Sequence, residues 1–162
     1  MEQVRNEQTL YSAAVYCRLS KDDDLADARM EQIFAALENR DEEMIKSTFS
    51  QKALLEAKNL DENIDKVFSF VQGKLSFWKR DESPVVFDNS ENVGKTKRLL
   101  TWYTLHTDEQ SYLIFLADYP IDTIEPKNEG LYTFKILEEK NENKLKGSIE
   151  DWIIPGIDVL DD

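Results

Sequence analysis

The hydrophobic pattern of the chain changes period once, at Gly73, and that change decides what the chain can fold into. Before Gly73 apolar residues recur every three or four positions, the repeat of a helix with one buried face. Ala26, Met30, Ile33, Phe34 and Leu37 form one stripe from Leu25 onward, with Asp27, Arg29, Glu31, Gln32 and Glu38 elsewhere. Asn39-Arg40-Asp41 breaks that stripe, and Asp41 is placed to cap a short second helix that turns Met44, Ile45 and Phe49 inward. Ser50 is placed to cap one more turn, 51–59, carrying Ala53, Leu54 and Ala57. Asn59-Leu60-Asp61 then opens a long third helix with the stripe Leu60, Ile64, Val67, Phe68 and Val71, stopped by Gly73.

Beyond Gly73 the period becomes two and β-branched and aromatic residues replace alanine and glutamate, which predicts strands. They are expected at 75–79, 85–87, 95–107, 111–118 and 131–139, with polar turns at 107–110 and 141–144. Pro84, Pro120, Pro126 and Pro155 fall at strand ends or loops, and 148–152 forms a last helical turn. Helices first and strands afterwards predict an α+β fold: three N-terminal helices packed on a curved antiparallel sheet. That order matches the cystatin-like, nuclear-transport-factor-like cone. At 162 residues one such domain, spanning 25–162, accounts for the chain, with 1–24 as an extension.

Charge excludes several function classes. Twenty basic against 33 acidic residues give −13 at pH 7, so nucleic acid and anionic membrane surfaces are repelled. A single cysteine, Cys17, excludes an intramolecular disulfide framework. No apolar run approaches the ~20 residues that insert into a membrane. Residues 1–20 scatter Glu2, Arg5, Glu7 and Arg18 around a short apolar stretch, so no export signal is visible and a cytoplasmic location is expected.

The motifs that suggest chemistry are incomplete. Gly94-Lys95-Thr96 ends like a phosphate-binding loop, but Asn89 stands where that loop needs its first glycine. The segment from Asp88 to Gly94 has calcium-loop composition with its glycine one position late and no closing glutamate. No metal and no cofactor are expected. His106, the sole histidine, and Asp118 are the weak catalytic candidates. Trp102, Tyr103, Tyr112, Phe115, Tyr132 and Phe134 are strand aromatics, core first, that would line an apolar ligand pocket if the cone holds one.

Two resemblances add to this reading. The run Ala14-Val-Tyr-Cys-Arg-Leu-Ser20, followed by acidic residues, resembles the opening strand of the large serine recombinases over residues 10–24. The resemblance implies Ser20 as nucleophile, Arg18 as a phosphate-stabilising group and Cys17 as a buried strand residue with no redox task. The further arginines such chemistry needs are missing, so Ser20 and Arg18 are expected to be inactive and the segment to be a fragment left by gene fusion. The segment's own pattern suits either a buried strand or an alanine-rich helical turn. From Leu25 onward the chain resembles a bacterial lipoprotein-type domain of unknown function. The likeness lies in Gln32-Ile-Phe-Ala-Ala-Leu-Glu-Asn-Arg-Asp41, Lys46-Ser-Thr-Phe-Ser-Gln-Lys-Ala53 and the stretch from Asp61 to Gly73. The resemblance implies a cone fold and exported, lipid-anchored relatives, without implying a reaction.

The expected function is therefore a ligand- or partner-binding module without demonstrable catalytic machinery, taking a small apolar ligand. One alternative is a cone-fold isomerase or dehydratase in which a pocket carboxylate, Asp118, removes a proton beside a carbonyl. The other is a module that forms a homodimer through its sheet face.

Overall fold

The computed structural model describes residues 21–161 with their side chains and residues 2–20 as the first part of a helix. Four helices precede six strands: α1 (Glu2–Asn39), α2 (Glu42–Thr48), α3 (Gln51–Glu56), α4 (Leu60–Phe70), β1 (Leu75–Arg80), β2 (Val85–Glu91), β3 (Gly94–Thr107), β4 (Ser111–Asp122), β5 (Gly130–Glu138) and β6 (Gly156–Leu160). The fold is α+β, as the change of period at Gly73 requires. Of the two conformations open to residues 10–24 the helix is the one adopted, running on into the stripe that begins at Ala26. The side chains of Ser20, Arg18 and Cys17 lie outside the described residues.

Local chemistry explains the helix boundaries. Asp41 accepts a hydrogen bond from the Met44 amide at 3.0 Å and starts α2, and Ser50 accepts one from the Ala53 amide at 3.0 Å and starts α3. The turn after Ser50 is thus a helix in its own right, making four helices where three are expected. Gly73 follows α4 at φ +88, and a Cβ there would stand 2.4 Å from Asp108 Oδ1, so only glycine lets the β3–β4 turn close over this point.

The sheet runs β1-β3-β4-β5-β6, with β1 and β2 lying end to end along the same edge of β3. It is not wholly antiparallel as predicted, because β6 pairs parallel to β5. A parallel neighbour requires a crossover, and residues 139–155 supply it with two 3-10 turns, Glu139–Lys144 and Ile149–Trp152. Strand β6 itself was not expected, since its five residues carry too short a signal. Pro120 sits inside β4 rather than at its end. The ladder slips there, Tyr119 and Pro120 together facing Arg98, and such a bulge tolerates the missing amide donor.

The helices cover one face. Met30 and Ile33 of α1, Ile45 of α2 and Ile64 and Val67 of α4 pack with Leu99, Tyr103, Leu105, Ile114, Phe134 and Ile136 of the sheet. The opposite face carries a smaller cluster in which Leu100, Phe115 and Ala117 meet Trp102, Ile149, Trp152 and Ile153. Among the described residues no helix is long and apolar enough to cross a membrane. Phe68, on the edge of the α4 stripe, is only half-buried, while Ile64 is fully enclosed. Ile64→Ala is therefore expected to lose ~2–5 kcal/mol in denaturant titration, more than Phe68→Ala.

Candidate functional site

Helix α1 crosses β3, β4 and β1 with a row of carboxylates on its sheet side. Asp22 is 2% exposed and lies 2.6 Å from the Lys97 ammonium of β3. Arg80 of β1 is shared by Asp23, at 3.1 Å, and Asp27. The Tyr103 hydroxyl donates to the other oxygen of Asp27 at 3.1 Å, and burial followed by that carboxylate pushes the phenol above its ordinary range. Two residues along, Arg29 Nε donates to Asp118 Oδ1 at 3.0 Å. Four carboxylates and three cations thus meet beneath one helix, and buried Asp23 Oδ1 has no partner among the described residues.

Asp118 stands where two ladders slip, against β3 between Lys97 and Leu99 and against β5 between Ala117 and Asp118. Alternation along β4 puts its side chain on the helix face with Tyr112, Ile114 and Leu116, beneath α1. Burial pushes its carboxyl above the ordinary carboxylate range, opposed by Arg29. One oxygen is held by a guanidinium and the residue is 3% exposed, so it has the burial of a catalytic base without the access. His106 is elsewhere, near the far end of β3, stacked on Phe77 at 4.4 Å, with its Nδ1 2.8 Å from Ser111 Oγ.

The six aromatics do not meet in one place. Tyr103, Tyr112 and Phe134 lie on the helix face with no exposure, and the Tyr112 hydroxyl donates to the Phe70 carbonyl at 3.0 Å. Phe115 and Trp102 lie on the opposite face. Tyr132 is the extra residue of the β5 bulge and donates to Glu56 of α3 at 2.7 Å; burial and that bond push its hydroxyl up to about 12.

Trp102 does border a cavity. A hollow of about 320 Å³ opens on the sheet face away from the helices, lined by Asp81, Glu82, Trp102, Leu113, Glu142, Leu145 and Trp152. Trp102 and Leu113 come from the sheet, while Glu142, Leu145 and Trp152 come from the crossover. The two indoles stand nearly perpendicular, at 80° with centroids 5.2 Å apart. Each is fixed: Trp152 Nε1 donates to the Lys146 carbonyl at 2.8 Å, and Trp102 also packs on Phe115 at 5.0 Å. Asp81 is held in the break between β1 and β2, its amide donating to the Trp102 carbonyl at 3.0 Å and its Oδ1 accepting from Thr104 at 2.8 Å. Sequence patterning pointed to Trp102 but not to Trp152, Leu145 or Asp81, and Glu142 fell in the polar turn expected at 141–144. The only signal common to Glu142, Leu145 and Trp152 is the long polar stretch after β5, which says nothing of the face it covers.

Four further cavities open elsewhere on the surface, the largest of them, about 560 Å³, beside Phe87, Lys97 and Arg98. Asp118 lines none of the five.

Two predictions follow from the charges. Arg29→Leu strands the Asp118 carboxylate and is expected to cost on the order of 3 kcal/mol, whereas Arg29→Leu with Asp118→Leu costs less than the single change. Denaturant midpoints of the two variants decide it. Asp122 shows the opposite balance: burial raises its carboxyl, but donors from the Glu125 and Ile124 amides and Asn128 Nδ2 outweigh this and hold it below the ordinary range. A lowered folded value adds stability that is complete above the unfolded value of ~4 and is lost as pH falls through the folded one. Asp122→Ala is thus expected to cost ~1.5–3 kcal/mol at neutral pH, a difference that fades in melts carried out at progressively lower pH below ~4.

No curated protein matches the chain. Residues 32–142, from the second half of α1 to the 3-10 turn after β5, match the family described as Domain of unknown function (DUF5104). The matched segment contains Asp81, Glu82, Trp102, Leu113, Asp118 and Glu142, and the match ends before Trp152. Since it spans more than half of the sequence, the chain belongs to the DUF5104 family.

Proposed function

We propose that the chain is a binding module whose ligand sits in the hollow between the sheet and the crossover, and that its carboxylate beneath α1 is structural. The observation that carries this is the pair of fixed indoles, Trp102 and Trp152, standing at right angles in a cavity of about 320 Å³. Large rigid aromatic faces with a few placed polar groups are what small-molecule sites are built from. A nuclear-transport-factor-like cone is the fold this reading favours, supported by helices on one side of a sheet bent at its bulges. Its binding surface is then the sheet's other face rather than the space under the helices, which core side chains fill.

The proton-abstracting alternative is disfavoured by the Arg29 bond on Asp118 and by its burial. The dimer alternative draws on Phe77, 56% exposed, and on Val85 and Phe87 along the β1–β2 edge.

Trp78 belongs to the helix-side core, in edge contact with Tyr103, so only two of the three indoles report on the hollow. In a small-molecule fragment screen read by indole N–H resonances, hits are expected to move Trp102 and Trp152 while leaving Trp78 in place. A screen in which fragments bind only elsewhere, or shift all three indoles together, sinks the proposal.

A further inference from the structure

The lining of this hollow also carries charge of one sign. Asp81, Glu82 and Glu142 are exposed at its rim, Trp102, Trp152 and Leu145 are half-buried deeper in, and Leu113 is 8% exposed at the bottom. No lysine, arginine or histidine is among the lining residues. We propose that the ligand taken here is a small molecule carrying an alkylated ammonium group, an inference that rests on the binding reading above.

The argument is one of matched chemistry. An indole face is negative at its centre and attracts a cation, most strongly when the cation is weakly hydrated and can be brought against the ring. Two indoles set at 80° give such a group two walls, and Leu113 and Leu145 give its alkyl substituents apolar contact. A primary ammonium would lose its water against these walls and find no acceptor at the bottom, whereas an alkylated one has little to lose. The three rim carboxylates supply attraction without being buried, so they draw the cation in at little desolvation cost. Asp81 is the best placed, because its bonds to Thr104 and to the Trp102 carbonyl hold it beside the indole before any ligand arrives. An anionic ligand faces the opposite situation: three carboxylates at the entrance and a net charge of −13 behind them.

The test compares choline with 3,3-dimethyl-1-butanol, its uncharged carbon isostere, on the full chain, by calorimetry and by the indole N–H resonances of Trp102 and Trp152. Choline is expected to move both resonances and to bind roughly tenfold more tightly than the isostere. Asp81→Asn, which keeps the acceptor for Thr104, is expected to weaken choline several-fold and leave the isostere unchanged. Added salt is expected to weaken choline alone. Equal binding of the two compounds overturns the cation assignment while leaving the hollow a ligand site. Movement of neither indole up to tens of millimolar choline overturns it as well, and the fragment screen then decides separately whether the hollow binds anything.

Discussion

Strand β4 sets the terms for everything around it. From Tyr112 to Asp118 seven consecutive residues are buried, so this strand turns apolar side chains to both faces and both must be covered. Burial on two faces is the usual lot of parallel-sheet strands, whereas an antiparallel strand commonly leaves one face to water. The helices satisfy the demand of Tyr112, Ile114 and Leu116, and the crossover with Trp152 satisfies that of Phe115 and Ala117. The hollow is a by-product of the second cover: a crossover of short 3-10 turns leaves gaps that a continuous helix laid on the sheet would fill.

What could be read in the sequence was what is decided locally. The stripe of α1, the caps Asp41 and Ser50, and the loss of helical period at Gly73 each depend on a few neighbours, and each stands in the structure as expected. The run 111–118 also read as a strand, but a buried run does not disclose what buries it. The fourth helix was visible only as a capped turn. Strand β6 and its parallel pairing were not visible, because five residues in an edge position depend on a partner 23 residues earlier. Asp118 was singled out as a carboxylate near a pocket; its partner Arg29 lies 89 residues away on another element, and nothing in the spacing announced the pair. The aromatics failed as a set for a plain reason: successive strand residues point to opposite faces, so Trp102 and Tyr103 cannot share a pocket.

The row beneath α1 shows how an acidic chain holds a helix to a sheet. With an excess of carboxylates, cations are scarce, and three of them, Lys97, Arg80 and Arg29, are placed where they neutralise several acids each or one buried acid. The contacts at Asp22 and Asp23 lie before Leu25, so the two residues take part in fastening α1 to the sheet. Each ion gives up water to be there, so such pairing adds little net stability even though removing one partner strands a buried charge.

The covering of β4 by the crossover also bears on how the chain is made. A ribosome releases the helices first, then β3 and β4, and only much later the segment around Ile149 and Trp152. Until that segment is in place Trp102, Phe115 and Ala117 lack their cover on this face of the sheet. Ile149, Trp152 and Ile153 thus act as a closing seal over this face of β4. Chains that stop short of Trp152 would keep that face open for good, making them targets for quality control rather than shorter versions of the same protein.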